Sequence, residues 1–118
     1  KTLQTIDTAL AACGIFAKSF TSVHKAMLYI WSAPPDLVIA EVTIGEESGF
    51  TLCEEIRSTK KLPPIPIVLM SDYASNDMVS RAIDLRINSV LTKPLQVELL
   101  QERVLKILRR ARLIPGTN

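Results

Sequence analysis

Residues 37–41 read LVIAE, a continuous apolar run that ends in the carboxylate of Glu41. Unbroken hydrophobicity over a short segment is typical of a parallel strand buried on both faces, whereas a strand with one solvent-exposed face alternates between apolar and polar residues. Pro34 and Pro35 separate this run from the helical pattern before it, because proline cannot continue a helix. The run therefore predicts a central parallel strand with Glu41 at its carboxyl end.

Helical and extended patterns alternate on both sides of this strand. Apolar residues at three- and four-residue spacing predict helices, and short apolar runs predict strands. The strand candidates lie at residues 15–20, 37–40, 65–70 and 89–91. The helix candidates lie at residues 3–13, 22–32, 49–58 and 95–111, and Gly14 is the predicted C-cap of the first. A further helix candidate starts at Ser75 or Asn76 and places Met78, Val79, Ala82 and Ile83 on one face.

This alternation predicts an α/β fold, with a doubly wound parallel sheet and helices on both faces. Sheets of this kind usually carry about five strands, and four candidates are found. The missing strand is the first, which we expect just before Leu3. The chain opens at Lys1 inside a helical pattern, so we expect further sequence upstream. We expect one domain over residues 1–112 and the start of a linker over 113–118, where Pro115 and Gly116 follow a basic helix end.

Composition excludes several classes of protein. The 118 residues are 47% hydrophobic and carry a net charge of +2, which is ordinary for a globular domain and too weak to indicate nucleic-acid binding. No apolar run approaches the roughly 20 residues of a membrane span, so no membrane association is expected. Cys13 and Cys53 are interpreted as buried, reduced thiols, and we expect a cytoplasmic protein. Glu46 and Glu47 are interpreted as solvated loop charge.

Polar side chains follow three of the predicted strands. Glu41 ends one, Ser71 and Asp72 end the next, and Lys93 follows the last. In open parallel sheets the functional crevice lies beyond the carboxyl ends of the strands. A carboxylate, a hydroxyl and an ammonium group meeting there would bind or transfer an anionic group.

Four sequence blocks, at residues 35–41, 48–50, 65–71 and 91–95, resemble the receiver domain of response regulators. The resemblance implies a flavodoxin-like fold, with a five-stranded parallel sheet and five helices. It also implies that Glu41 stands at the phosphoacceptor position, where the family has aspartate, and that Ser71 and Lys93 stand at the phosphate-contact positions. Thr43 and Asp72 would border the site.

Other positions depart from the family pattern or bear on its metal. Val90 stands at the switch position, where the family often has an aromatic residue that moves on activation. The family binds magnesium through an acidic pair after the first strand, and that pair would precede Lys1. Magnesium is therefore expected only if such a pair is present upstream. Glu41 is a possible metal ligand, and Asp72 could add a second carboxylate. No other cofactor is expected.

The leading interpretation is a degenerate receiver, or pseudo-receiver, of a two-component phosphorelay. It would act through protein contacts, without phosphorylation and without enzymatic activity. One alternative is a working magnesium-dependent phosphoacceptor modified by a histidine kinase, and another is a flavodoxin-like cofactor-binding domain. The expected partners are a histidine kinase or other signalling protein, an output domain in the full-length chain, and a second copy pairing through the last strand and last helix. Direct binding of nucleic acid is not expected.

Overall fold

The computed structural model describes residues 2–111. Residue 112 and the predicted linker at 113–118 lie outside the described residues. In chain order the elements are α1 (Thr2–Ala11), α2 (Val23–Ser32), β1 (Val38–Glu41), β2 (Thr43–Ile44), β3 (Glu47–Ser48), α3 (Gly49–Ser58), β4 (Ile67–Ser71), α4 (Asn76–Asp84), β5 (Ser89–Thr92) and α5 (Val97–Arg110). Residues 20–94 form one compact unit, and residues 2–19 and 95–111 form a second, helical unit.

The larger unit is built on a parallel sheet in the order β1-β4-β5. This confirms the predicted α/β class. The described residues contribute three strands to this sheet, not five. The polar loop predicted after Glu41 is instead a small antiparallel ribbon, in which Thr43 pairs with Ser48 and Ile44 with Glu47.

The extended segment predicted at residues 15–20 is wrong, because no strand forms there. The amide of Ile15 donates to the Leu10 carbonyl and that of Gly14 donates to the Ala11 carbonyl, so the first residue of this segment closes α1 together with the glycine before it. Gly14 has φ +76°, as the glycine of such a helix-closing turn requires. The predicted C-cap is thus confirmed, while Phe16 beyond it is fully exposed.

The middle strand β4 is buried on both faces. Ile67, Val68 and Leu69 have no exposed surface, which explains why the sequence shows an unbroken apolar run there. The core around the sheet takes side chains from α2, α3 and α4, among them Met27, Ile30, Phe50, Leu52, Cys53, Ile56 and Met78.

Serine side chains start the three helices of the larger unit. Ser22, Ser48 and Ser75 accept hydrogen bonds from Lys25, Phe50 and Met78 backbone amides at 3.1–3.2 Å, as expected of N-caps.

Three apolar positions of the predicted helices face solvent. Trp31, Val79 and Ile83 are 51%, 40% and 69% exposed, because an apolar pattern marks a wider stripe of a helix than the core covers. Cys53 is buried as predicted, whereas Cys13 is half-buried, and neither forms a disulfide.

The helical unit contains α1 and α5, which pack against each other. Gln101 on α5 donates its side-chain amide to the Ala9 carbonyl on α1 at 2.8 Å. The buried positions of the two helices are Ile6, Ala9, Leu10, Leu100, Val104 and Leu108, while Ala111, at the end of the predicted helix 95–111, is exposed. None of the helices within residues 2–111 has the length and apolar character needed to cross a bilayer.

Candidate functional site at the carboxyl ends of the strands

The strand register brings the predicted polar residues to one edge of the sheet. Glu41 pairs with Met70 across β1 and β4, and Ser71 pairs with Thr92 across β4 and β5. Beyond the last pair, the Lys93 amide donates to the Ser71 carbonyl at 2.8 Å. Because the strands are parallel and end together, their last side chains meet at one edge.

Glu41 and Lys93 form an ion pair at this edge. The Lys93 Nζ donates to the Glu41 Oε2 at 2.7 Å, and the two side chains are 28–29% exposed. The hydrogen bond to Glu41 is the main reason that the pKa of Lys93 lies above its usual value. The negative charges of Glu41 and Asp72 add to this rise, and partial desolvation opposes it. Lys93 is therefore a fully charged ammonium group already bonded to a carboxylate.

The Ser71 hydroxyl takes part in a local turn. Its Oγ donates to the Tyr73 carbonyl at 2.5 Å and accepts a weaker bond from the Tyr73 amide at 3.3 Å. The residue is 7% exposed. Ser71 therefore lies at the predicted edge, but its hydroxyl bonds to the backbone of the following loop. Among the described residues, no hydrogen bond joins this hydroxyl to the side chain of Glu41 or Lys93.

A cavity of about 220 Å³ opens at this edge, with apolar walls from Phe50, Met70 and Met78. Five of the residues predicted for the site line it: Glu41, Thr43, Ser71, Asp72 and Lys93. The sixth, Val90, is not among the lining residues, because its half-buried side chain packs against the hydrophobic core. The structure thus gathers the acid, the hydroxyl, the amine and the two bordering residues, and leaves the predicted switch position out of the cavity wall.

Two residues near this edge make backbone contacts that the sequence did not signal. Glu47, interpreted as solvated loop charge, accepts a hydrogen bond on Oε1 from the Val23 amide at 3.0 Å, at the first turn of α2. No local pattern signals a bond between residues 24 positions apart. The second is Gly49, whose amide donates to the Val42 carbonyl at 2.6 Å, immediately after Glu41.

The described residues do not by themselves fit a magnesium site. Residues 2–111 contain no cluster of three Asp, Glu, His or Cys side chains able to hold a metal. Glu41 and Asp72 are the carboxylates of the cavity, and the ammonium group of Lys93 already occupies one Glu41 oxygen. Magnesium is usually held by one or two carboxylates together with several waters, and here one of the two carboxylates is already paired with the Lys93 ammonium group.

Comparison with known proteins decides the family. The model of the response regulator receiver domain matches residues 1–105. This chain belongs to the response regulator receiver domain family. Membership confirms the resemblance found in the sequence and the flavodoxin-like fold expected from it, and it does not support the cofactor-binding alternative.

Individual relatives give the same assignment. The transcriptional regulatory protein GltR of Pseudomonas aeruginosa is 30% identical over 110 residues, which are 92% of this chain and 45% of that protein. A part of the sensor histidine kinase TmoS of Ectopseudomonas mendocina is 30% identical over 80 residues, which are 68% of this chain and 8% of that protein. The receiver therefore spans less than half the length of these curated relatives.

The solved structures agree with the fold of this receiver. A two-component response regulator from Clostridium difficile superposes with a TM-score of 0.83 at 29% identity, over 93% of this chain and 88% of that one. The receiver domain of a signal transduction histidine kinase from Syntrophus aciditrophicus gives the same TM-score of 0.83 at 20% identity, over 99% of this chain and 89% of that one. The second match bears on the fold alone.

Proposed function

We propose that this receiver signals through protein contacts and does not depend on phosphorylation at Glu41. The observation that carries the proposal is the 2.7 Å hydrogen bond between Lys93 Nζ and Glu41 Oε2. The family resemblance assigns Lys93 to contact a phosphoryl group and Glu41 to the position that would accept it. In this protein the two groups are bonded to each other.

The length of the glutamate side chain supports this proposal. Glutamate extends its carboxylate about 1.5 Å farther than aspartate, which is one additional C–C bond. Phosphoryl transfer depends on close positioning of the attacking oxygen, and a displacement of about 1 Å can cost a factor of 100 in rate. Glu41 is therefore a poor nucleophile at this position, although its length lets it reach Lys93.

The electrostatics point the same way. A phosphoryl group would bring roughly 1.5 to 2 negative charges, whereas Glu41 supplies one. The pair with Lys93 thus resembles the phosphorylated state only in part. Ser71 would also have to give up its bond to the Tyr73 carbonyl before it could donate to a phosphoryl oxygen. The site we propose is a stable, closed ion pair, and partners recognise the surface that this pair maintains.

The names of the relatives support a role inside a longer signalling protein. GltR is a transcriptional regulator about twice the length of the matched segment, and TmoS is a sensor histidine kinase. We propose that this receiver likewise works beside an output domain or kinase module, in the cytoplasm. Its partners would be a histidine kinase or another signalling protein and, through the last strand and the last helix, a second copy of the chain.

Intact mass spectrometry after incubation with acetyl phosphate and magnesium tests the proposal. We expect no gain in mass, while a receiver with aspartate at this position, treated in parallel, gains one phosphoryl group. A magnesium-dependent gain of one phosphoryl group that is absent in Glu41→Gln would instead establish the phosphoacceptor alternative. Mass is a better readout than fluorescence, because Trp31 does not line the cavity.

Glu41→Asp is the matched repair variant, since it keeps the charge and shortens the side chain. We expect it to accept phosphate only in a chain that carries an acidic pair upstream of Lys1. A repaired chain with such a pair that still takes up no phosphate would place the defect in Asp72 or in the β2–β3 ribbon. Residue 41 would then not be the decisive difference.

A further inference from the structure

We infer that Gly49 is a positioning residue that sets the distance between Glu41 and Lys93. Gly49 opens α3, and its amide donates to the Val42 carbonyl at 2.6 Å. Its φ is not in the left-handed region, unlike those of Gly14 and Gly45. Glycine is therefore required at position 49 for space and not for backbone conformation.

The space is occupied by the backbone of Glu41. A Cβ atom added at Gly49 would lie 1.9 Å from the Glu41 carbonyl oxygen and 2.9 Å from its carbonyl carbon. The third neighbour is Val42 Cα at 3.2 Å. All three are backbone atoms, so no side chain can rotate to make room, and the first turn of α3 rests directly on the end of β1.

The helix cannot easily withdraw to relieve such a clash. Ser48 caps its first turn through the Phe50 amide at 3.1 Å, and Phe50 is only 4% exposed. The Arg81 guanidinium covers the Phe50 ring at 4.5 Å and forms an ion pair with Glu54, one turn farther along α3, at 2.8 Å. A displacement at position 49 is therefore passed to the Glu41 backbone.

The ion pair is sensitive to this displacement. The Lys93 Nζ and Glu41 Oε2 are 2.7 Å apart, and hydrogen bonds weaken strongly beyond about 3.2 Å. Moving the Glu41 backbone by about 1 Å would break the bond unless both side chains adjusted. The inference deepens the proposed function, because Gly49 would hold the pair closed, but its readout does not require phosphorylation.

The pKa of Lys93, measured by NMR on its side chain, tests the inference. We expect Gly49→Ala to lower this pKa toward the ordinary value of 10.5, because the bond to Glu41 is the main cause of its rise. The matched control is Gly45→Ala, in the turn of the β2–β3 ribbon that precedes α3, where φ is +60° and the nearest atom to an added Cβ is the Thr21 carbonyl oxygen at 4.0 Å. This control introduces backbone strain without touching Glu41, so its Lys93 pKa should equal that of the wild type.

A folded Gly49→Ala variant with an unchanged Lys93 pKa would overturn the inference, as would an equal fall in Gly45→Ala. If Gly49→Ala folds only with an added osmolyte such as sucrose, the three proteins are compared in that solvent. If it does not fold at all, the scalar coupling across the hydrogen bond from the Gly49 amide to the Val42 carbonyl is measured in the wild type. Its absence overturns the inference and its presence supports the close approach. Failure of the phosphorylation test would change none of these outcomes.

Discussion

Two cations lie at opposite ends of β4 and are satisfied by different kinds of acceptor. At the amino end, the Arg57 guanidinium donates to the backbone carbonyls of Ile65, Leu85 and Arg86 at 2.7, 2.8 and 3.0 Å. At the carboxyl end, Lys93 donates to the single carboxylate of Glu41. Burial is the main reason that the pKa of Arg57 lies below its usual value, with the charge of Arg86 contributing.

We propose that this difference separates a structural cation, Arg57, from a signalling one, Lys93. Backbone carbonyls do not titrate, and the planar guanidinium of Arg57 matches several of them at once. Arg57 thereby joins α3 to the segments that lead into β4 and β5. Lys93 makes one bond to a side chain at the wall of a cavity, so that bond can be exchanged for another anion or lost by one substitution. We therefore expect the amino end to determine stability and the carboxyl end to determine signalling.

The largest effect is expected for Arg57→Ala. The part-buried carbonyls of Ile65 and Leu85 and the exposed carbonyl of Arg86 lose a charged donor, so the free energy of unfolding should fall by about 2–4 kcal/mol. Urea unfolding measures this change. Arg57→Lys is the control, and it should recover only part of the loss because an ammonium group cannot reach three acceptors in a fork. Full recovery by lysine would mean that the positive charge at position 57, and not the forked geometry of the guanidinium group, stabilises the fold.

A smaller and opposite effect is expected for Arg86→Gly. Arg86 has φ +55°, a left-handed conformation that costs a residue with a Cβ about 1–2 kcal/mol. Glycine removes this strain but gains freedom in the unfolded chain, so the expected net stabilisation is about 0.5–1 kcal/mol. Arg86→Ala removes the same charge next to Arg57 and keeps the strain. If alanine stabilises as much as glycine, the repulsion between the two arginines is the cause.

The smallest effect on stability is expected for Lys93→Met. A partly exposed ion pair contributes about 0–1 kcal/mol, so the two proteins should unfold at similar urea concentrations near neutral pH. Because the pKa of Lys93 is raised in the folded state, the contribution is complete below the unfolded value of 10.5 and is lost as pH rises above it. The small difference should therefore vanish in strongly alkaline solution. A difference as large as that of Arg57→Ala would contradict the division between the two ends.

Ionisation of Cys53 also changes the stability in alkaline solution, but this change is expected to be the same in the wild type and in Lys93→Met. Burial raises the pKa of its thiol from 9.0 to about 11. The unfolded thiol ionises first, so stability should fall between these two values in both proteins. The difference between wild type and Lys93→Met thus reports on Lys93 alone.

The two ends also differ in how well they could be predicted. The meeting of Glu41 with Lys93 followed from the order of strand ends, since parallel strands place their last residues at one edge. The bond from Ser71 to the Tyr73 carbonyl could not be predicted, because it depends on a turn with no sequence signal. The hydrogen bonds of Arg57 could likewise not be predicted, because its acceptors are backbone carbonyls, which every residue has.

The strands show a similar limit. Residues 38–41 of the apolar run form a strand because β4 pairs with all four of them. The segment at 15–20 also contains several apolar residues, but it has no pairing partner among the described residues, and its first amide, that of Ile15, closes α1. Apolar pattern indicates what a segment can bury, whereas a strand also requires a neighbour with free backbone groups.

The most direct test of the central claim is the pKa of Lys93 measured by NMR in the wild type and in Glu41→Gln. If the carboxylate at position 41 holds the ammonium group at position 93, the wild-type pKa lies above 10.5 and falls in the glutamine variant, while the fold is unchanged. Equal values in the two proteins would show that the pair does not form in solution. This receiver would then not be the closed, phosphorylation-independent site proposed for it.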